Sequence, residues 1–164
     1  MMWFTKKPPP ELRVLVVCLG NICRSPTGEA VLRHKLAQAG LAERIELDSA
    51  GTGGWHIGEP PDGRAIRHAA ARGYDLSRLR GRRVAEEDFR RFDLILAMDD
   101  DNLADLVRLQ PGDATAEVRL FAEAPVPDPY MGGPEGFLHV LDLIESASER
   151  WVADLQRRLE RGTS

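Results

Sequence analysis

The sequence predicts a single α/β domain built as a three-layer sandwich, with a four-stranded parallel sheet between two layers of helices. Two observations carry this prediction. Short apolar stretches typical of buried strands alternate with longer stretches whose apolar residues recur every three or four positions, as on amphipathic helices. In addition, a chain of 164 residues with 43% hydrophobic residues is long enough to bury one core and too short for two ordinary domains.

The chain opens with a segment that precedes the folded domain. Residues 1–11 include two lysines and three consecutive prolines, so we expect an extended lead-in there and a domain over residues 12–164. Residues 13–19 form a nearly unbroken apolar run, which is typical of a strand covered on both faces. A turn over residues 20–24 follows, and we predict that it is a phosphate loop between the first strand and the first helix.

The first helix has recognisable start and stop signals. Ser25 suits the N-cap and Pro26 the first helical position, because proline has no N–H to leave unpaired. Glu29 would lie near the positive end of the helix, and Gly40 would end it.

The remaining elements follow from periodicity and from turn residues. We predict strands over residues 44–50, 93–98 and 117–121, and helices over residues 62–72, from 103 to near Pro111, and 137–159. In a parallel sheet covered by helices, the carboxyl ends of the strands form the ligand-binding edge. The segments that follow the strands, residues 18–25, 49–56, 98–99 and 125–130, should therefore gather at one edge.

Charge and composition exclude several classes of function. A net charge of -4 argues against nucleic acid or anionic membrane as a partner, since either would normally need a basic surface. The longest apolar run is far shorter than the roughly 20 residues that span a bilayer. The four histidines, His34, His56, His68 and His139, lack metal-ligand spacing, so we expect neither a metal nor another cofactor.

One stretch of the sequence is basic, although the chain as a whole has a net negative charge. Six arginines lie close together in the sequence: Arg78, Arg80, Arg82, Arg83, Arg90 and Arg91. They indicate either a solvated face, which is the more common case, or a surface that docks an acidic partner.

The two cysteines, Cys18 and Cys23, are too few and too close together for the disulfide framework of a secreted domain. Their spacing points to thiols in a reducing compartment, so we expect a cytoplasmic protein. Cys18 and Arg24 also form a Cys-x5-Arg pattern. Alone, this pattern is weak, since Cys18 would pass as a small buried residue and Arg24 as part of a surface ion pair.

The context of Cys18 and Arg24 strengthens the pattern. A cysteine at a strand end, a loop whose N–H groups converge and a following helix together stabilise both a phosphate dianion and a thiolate. The planar guanidinium of Arg24 matches two phosphate oxygens at once, as a lysine cannot. Gly20 and Asn21 tolerate the left-handed backbone that such a loop needs.

Four segments resemble the low-molecular-weight protein tyrosine phosphatases in order and spacing. They are VLVVCLGNICRSP at residues 14–26, DSAGT at residues 48–52 with Trp55, DLILAMD at residues 93–99 and PDPY at residues 127–130. The resemblance covers about residues 12–160. It implies hydrolysis of phosphotyrosine through a phosphocysteine intermediate, without a metal.

The resemblance also implies roles for individual residues. Cys18 would be the nucleophile, Arg24 the phosphate clamp and Asp128 the general acid and base, although an isolated Pro-Asp-Pro is usually an ordinary turn. Ser25 and Ser49 would support the loop, together with Asn21. The phosphate would be bound by the loop residues Leu19, Gly20, Asn21, Ile22, Cys23 and Arg24.

Aromatic residues are expected at the mouth of the site. Trp55 and Tyr130 would form walls against which a substrate ring stacks, unless they are partly buried in the core. Met131 stands where many members carry a second aromatic residue, which suggests a softer rim. Leu79 lies near the position of a histidine that supports the loop in some members, so that support must come from elsewhere.

Cys23 allows two interpretations. It would either capture oxidised Cys18 as a reversible disulfide, which would make the enzyme redox-sensitive, or simply pack under the loop.

Three other functions compete with a tyrosine phosphatase. Arsenate reductases on this scaffold use further cysteines outside the loop, and the chain has none, so this function would need a glutathione-type partner to supply the thiol. Phosphoarginine phosphatases tend to have threonine where this chain has Ile22. A module that binds phosphotyrosine without hydrolysing it would lack the nucleophile or the acid. The implied partner is therefore a phosphotyrosine-containing protein, with a tyrosine kinase as one candidate.

Overall fold

The computed structural model describes residues 7–162 and confirms the predicted α/β class. Residues 1–6 of the predicted lead-in and residues 163–164 of the predicted domain lie outside the described part of the chain. The elements in chain order are β1 (Leu12–Cys18), α1 (Arg24–Gln38), β2 (Ile45–Gly51), α2 (Gly63–Ala71), α3 (Asp88–Arg91), β3 (Leu94–Ala97), α4 (Asp100–Leu109), β4 (Glu117–Leu120) and α5 (Pro134–Gly162), with a 3₁₀ turn at Ala42–Arg44.

All four strands are parallel, in the order β2-β1-β3-β4. Strand β1 is central, and Val14 pairs with Leu47 on one side and with Leu94 on the other. It has no solvent-facing side, which explains why the predicted strand is apolar almost throughout rather than alternating.

The alternating side chains of β1 serve two different cores. Val14 and Val16 are buried with apolar residues of α1, α2 and α5, whereas Leu15 and Val17 are buried with Phe89 and other residues of α3 and α4. Helices therefore cover both faces of the sheet, as the three-layer prediction requires.

The predicted start of α1 was wrong by two residues, since Ser25 was expected as the N-cap and Pro26 as the first helical residue. The helix begins at Arg24, and its N-cap, Cys23, makes no side-chain capping bond. Ser25 lies inside the first turn because its hydroxyl is bonded to Asn21 and Cys18 instead of to a backbone N–H. Glu29 is also further along the helix than the first turn. Gly40, with φ of 75°, follows the helix end as predicted.

The starts of α2 and α4 have side-chain caps that fit the sequence. Asp62 accepts a hydrogen bond from Arg64 N at 2.8 Å at the start of α2, and Asp99 accepts one from Asn102 N at 2.7 Å at the start of α4. Each carboxylate satisfies an N–H that the helix itself leaves unpaired. Asp99 is thereby fixed directly after β3.

The strands end at one edge of the sheet, where the polar segments predicted from the sequence meet. Cys18 and Gly51 are paired at the carboxyl ends of β1 and β2, and Met98 N bonds to Val17 O at 3.0 Å just beyond β3. Leu12 lies at the opposite end of β1, about 20 Å away at 3.3 Å per residue. Within residues 7–162, no helix is both long and apolar enough to cross a bilayer.

Candidate active site

The loop between β1 and α1 is held in place through its own carbonyl groups. The carbonyls of Cys18 and Leu19 accept hydrogen bonds from Thr52 N and Gly53 N, each at 2.9 Å, and Ile22 O accepts one from Asp62 N at 2.8 Å. Because these carbonyls are used by segments outside the loop, its N–H groups remain for an anion inside it.

Asn21 takes the strained backbone position of the loop. Its φ of 57° makes it the only non-glycine residue with a positive φ among residues 7–162, and its N–H lies 3.3 Å from Cys18 Sγ. Asparagine tolerates this left-handed conformation better than most residues. The sulfur is therefore directed toward a backbone donor, as a thiolate requires.

Side chains behind the loop fix both Asn21 and the sulfur. Asn21 Nδ2 donates to Ser25 Oγ at 2.7 Å and to Ser49 Oγ at 3.1 Å. Ser25 Oγ also lies 3.0 Å from Cys18 Sγ. Since the serine oxygen already accepts from the amide, its single O–H proton can be donated to the sulfur or to Ala50 O, which lies further away at 3.4 Å. The predicted supporting residues Ser25 and Ser49 are thus brought together with Asn21.

Sequence reasoning missed two members of this network. Ser49 Oγ donates to Glu29 Oε1 at 2.8 Å, and Arg33 Nη2 donates to Glu29 Oε2 at 2.5 Å. Burial is the main reason why the pKa of the Glu29 carboxyl is raised above its usual value, and the bonds from Ser49 and Arg33 oppose that rise.

Arg82 is the second missed residue, and it bonds to the oxygen of the Asn21 side chain, whose nitrogen bonds to Ser25 and Ser49. Its backbone N–H donates to Asn21 Oδ1 at 3.0 Å, while its guanidinium is held between Asp48 and Asp88 at 2.9–3.0 Å. Arg82 and Glu29 therefore provide the loop support that the leucine at position 79 cannot give. Leu79 itself packs against the hydrophobic core.

Arg24 is almost fully buried, with 2% of its surface exposed. Its Nη1 donates to Asp99 Oδ2 at 2.6 Å and to Val126 O at 3.0 Å. A guanidinium has five N–H donors in a fixed plane, so these two bonds orient the fork and leave the Nε and Nη2 donors for other partners. The sequence predicted Asp99 at the ligand-binding edge and as part of the DLILAMD segment. Its bond to the Arg24 guanidinium was missed because the two residues are 75 positions apart.

Asp128 is held beside this guanidinium. Its Oδ1 accepts from Tyr130 N at 3.0 Å, which is the ordinary turn contact of an aspartate, and its Oδ2 lies 3.5 Å from Arg24 Nη2. The turn interpretation and the functional one are thus compatible: one oxygen fixes the loop and the other faces the site.

These residues line a single cleft at the sheet edge. It is formed by Cys18, Leu19, Gly20, Ile22, Cys23, Arg24, Trp55, His56, Asp128 and Tyr130. Trp55 is 69% exposed and Tyr130 45% exposed, so neither belongs to the core, and both stand as walls of the cleft. His56 was not predicted; its Nδ1 lies 2.6 Å from Glu59 Oε2.

Cys23 has a different environment from Cys18. Burial, followed by the charge of Asp62, raises the pKa of the Cys23 thiol to about 12, so it is protonated at neutral pH. Both cysteines are free thiols. Packing of Cys23 within the core fits the simpler of its two interpretations, and a disulfide with Cys18 stays a prediction.

Half of the arginine-rich stretch is engaged in ion pairs. Arg90 pairs with Asp113 and Arg91 with Glu46, each at 2.8 Å, and Arg82 is held as described above. The other three, Arg78, Arg80 and Arg83, pair with no carboxylate of residues 7–162, and Arg80 donates instead to the carbonyls of Ser77 and Leu79. Nor do the described residues contain a group of three or more His, Cys, Asp or Glu side chains placed to hold a metal ion.

Comparisons with known proteins agree on one family. The family model described as low molecular weight phosphotyrosine protein phosphatase matches residues 13–161. The chain is 42% identical over 158 residues to the low molecular weight protein-tyrosine-phosphatase of Streptomyces coelicolor, with 90% of this chain and 96% of the relative covered. The phosphatase of Schizosaccharomyces pombe is 44% identical, covering 77% and 86%.

Solved structures give the same result. A protein tyrosine phosphatase from Entamoeba histolytica, solved with Hepes in its active site, superposes with a TM-score of 0.83 at 38% identity, covering 93% of this chain and 99% of that one. A Drosophila arginine phosphatase also superposes with a TM-score of 0.83, at 30% identity and with 88% and 98% covered. The fold is therefore shared by enzymes with different phosphorylated substrates.

Proposed function

The chain belongs to the low molecular weight phosphotyrosine protein phosphatase family and is a protein-tyrosine-phosphatase, a phosphoric monoester hydrolase, and from this we propose that it hydrolyses phosphotyrosine by nucleophilic attack of Cys18. The observation that carries the mechanism is the position of Cys18 Sγ, 3.3 Å from Asn21 N and 3.0 Å from Ser25 Oγ at the start of α1. Donors at that position stabilise the thiolate, which is the reactive form.

In the first step Cys18 Sγ forms a bond to phosphorus while the bond from phosphorus to the tyrosine oxygen breaks. The electron pair of that bond goes to the phenolic oxygen, and Asp128 donates a proton to it. The loop N–H groups of residues 19–24 and the planar fork of Arg24 bind the equatorial phosphate oxygens, where negative charge must be stabilised. Asp99 and Val126 O support this role by orienting Arg24.

In the second step a water oxygen attacks the phosphocysteine. Asp128 takes the proton from that water, and the sulfur recovers the electron pair of the broken bond to phosphorus. The O–H of Ser25 donates to the departing sulfur and so makes it a better leaving group. This sequence needs no metal or cofactor, because the loop and Arg24 supply the positive charge.

The cleft favours a flat aromatic ring as the substrate side chain. Ile22, Trp55 and Tyr130 all line it, so a phenyl ring can pack against apolar and aromatic surface. Phosphoarginine is the alternative substrate, since a Drosophila arginine phosphatase has the same fold. The branched apolar side chain of Ile22 argues against a guanidinium group at that position.

The expected partners are phosphotyrosine-containing proteins, with a tyrosine kinase as one candidate. We further propose that the enzyme acts in the cytoplasm, where Cys18 and Cys23 would stay reduced as thiols.

The test compares four substrates in the presence of a chelator: p-nitrophenyl phosphate and peptides carrying phosphotyrosine, phosphoserine or phosphoarginine. We expect turnover of p-nitrophenyl phosphate and the phosphotyrosine peptide, and none by Cys18→Ser. Rapid acid quench with labelled substrate should trap phosphate on Cys18. Label on a histidine, a need for divalent metal, or a preference for phosphoarginine would each refute the proposal.

A further inference from the structure

A second groove adjoins the proposed catalytic cleft. Leu19 and Trp55 line both, so they form a ridge between the two. On the far side of this ridge the groove is lined by Arg83, Asp105, Arg108 and Leu109, and residues 52–54 complete its lining. We call it the flanking groove. It begins at Leu19, the residue next to Cys18, so it lies within reach of residues that flank a phosphotyrosine bound in the cleft.

The ridge is held by the phosphate loop itself. Thr52 N and Gly53 N bond to the carbonyls of Cys18 and Leu19, which ties the 52–55 segment to the loop. The Trp55 ring packs directly on Gly53, because a Cβ atom there would lie only 1.9 Å from the ring. Backbone hydrogen bonds therefore hold the 52–55 segment, which carries the boundary between cleft and groove, next to Cys18.

Arg83 gives the groove a fixed positive charge. Its backbone is anchored beside β2, since Gly51 N bonds to Arg82 O at 2.8 Å and Val84 N to Gly51 O at 2.9 Å. Its side chain is exposed and runs along Gly54, with Nη1 3.9 Å from the position of a Cβ there. Unlike Arg82, it has no carboxylate partner in the described part of the chain.

The rest of the groove combines polar and apolar surface. Arg108 pairs with Asp105 of the preceding helical turn, and Leu19 and Leu109 are 40% and 41% exposed. Thr52 is only 7% exposed, and its Oγ1 has no hydrogen-bond partner among residues 7–162.

We propose that the flanking groove binds a residue next to phosphotyrosine in the protein substrate, with an acidic side chain paired to Arg83 and apolar atoms against Leu19 and Leu109. This inference rests on the proposed function and extends it to the substrate class: phosphotyrosine with an acidic neighbour. The unpaired charge of Arg83 is the reason for a carboxylate rather than an amide.

The experiment uses pairs of phosphotyrosine peptides that differ only by Glu or Gln at one flanking position, before or after the phosphotyrosine. The readout is the ratio of kcat/KM for the Glu peptide to that for the Gln peptide. For wild type we expect a ratio of about two to five at one of these positions, the scale of an exposed ion pair. The ratio should approach one at high salt, since exposed charges are screened.

Arg83→Gln should bring the ratio to about one, and Arg83→Glu should invert it. The control is Arg157→Glu, which makes the same charge change at an exposed residue of α5 and should keep the wild-type ratio. Binding of the same peptides to Cys18→Ser provides a second measurement that needs no turnover. Equal ratios in wild type and Arg83→Glu, in both measurements, would overturn the inference. Failure of wild type to hydrolyse even p-nitrophenyl phosphate would instead refute the proposed function.

Discussion

At the scale of single residues, the site depends on charged groups that are removed from water. Arg24 is 2% exposed, and a buried cation is tolerated only where anions and carbonyl groups compensate it. Asp99, Asp128 and Val126 O supply that compensation. The guanidinium is thus oriented before any phosphate arrives, which is the preorganisation that makes electrostatic stabilisation effective.

Arg24→Lys should therefore lose kcat by at least about 100-fold, the scale of one lost oxyanion donor. A lysine ammonium has no planar fork with which to bond Asp99 and a phosphate at the same time. Steady-state kinetics with p-nitrophenyl phosphate would measure the loss, and circular dichroism would establish that the variant is folded. Near-normal turnover by a folded variant would show that the fork has no role in catalysis.

Asp128→Ala tests proton donation. A tyrosine phenolate is a poor leaving group and a nitrophenolate a good one, and a positioned acid typically contributes 10²- to 10⁴-fold. Single-turnover phosphorylation of Cys18 should therefore slow much more with phenyl phosphate than with p-nitrophenyl phosphate. Equal losses with both substrates would mean that Asp128 only shapes its loop through Tyr130 N, and Asp99 would be the next candidate for the acid.

A site residue could be predicted from the sequence where its partners lie close to it along the chain. Cys18, Asn21, Arg24 and Ser25 lie within eight positions, so a local pattern with its strand and helix was enough to select them. Glu29 reaches Ser49 across 20 positions and Arg82 reaches Asn21 across 61, and neither residue has a local signal for its role. Such contacts depend on the sheet order and require the three-dimensional structure.

At the scale of elements, the strands and long helices were predictable because they differ in pattern: β1 and β3 are short apolar runs, whereas the long last helix has apolar residues at every third or fourth position. The four residues of α3 and the three of the 3₁₀ turn at Ala42–Arg44 were missed because they are shorter than any period that could indicate them. The start of α1 was misplaced for a different reason. Ser25 has the composition of an N-cap, but the site uses its hydroxyl for Asn21 and Cys18.

The loop after β2 offers a test at this scale. Gly53→Ala would place a Cβ 1.9 Å from the Trp55 ring, so the ring must leave its position on the wall of the cleft. A stacked aromatic pair contributes about 0.5–1.5 kcal/mol, so kcat/KM for a phosphotyrosine peptide should fall by about two- to tenfold.

The matched control for this substitution is Gly112→Ala, which adds the same methyl group where no atom lies within 4 Å. It should keep the wild-type kcat/KM. If Gly53→Ala also kept it, Trp55 would have no part in binding the substrate ring.

At the scale of the whole molecule, Glu29 links the site to stability. Burial raises its pKa above the usual 4.5, so between 4.5 and the raised value the folded state holds a proton that the unfolded state releases. The contribution of Glu29 to the free energy of unfolding is therefore complete below pH 4.5 and is lost as pH rises through the folded pKa.

Glu29→Gln cannot titrate and serves as the reference. From pH 4 to 8, the free energy of unfolding of wild type should fall relative to that of Glu29→Gln, as measured by urea denaturation at each pH. The exposed Glu86→Gln provides the control and should show a smaller change with pH relative to wild type. A constant difference between wild type and Glu29→Gln would show that Glu29 has the same pKa in both states.

The direction of β1 also determines which side of the molecule would face a solid support if the enzyme were attached through the chain before Leu12. Leu12 enters the sheet at the edge opposite Cys18, and Glu11 N is bonded to Arg44 O at 2.8 Å there. An anchor attached ahead of Leu12 would thus hold the enzyme by the side remote from its catalytic mouth. Bulky phosphoproteins could then approach an immobilised layer of the enzyme without obstruction from the matrix.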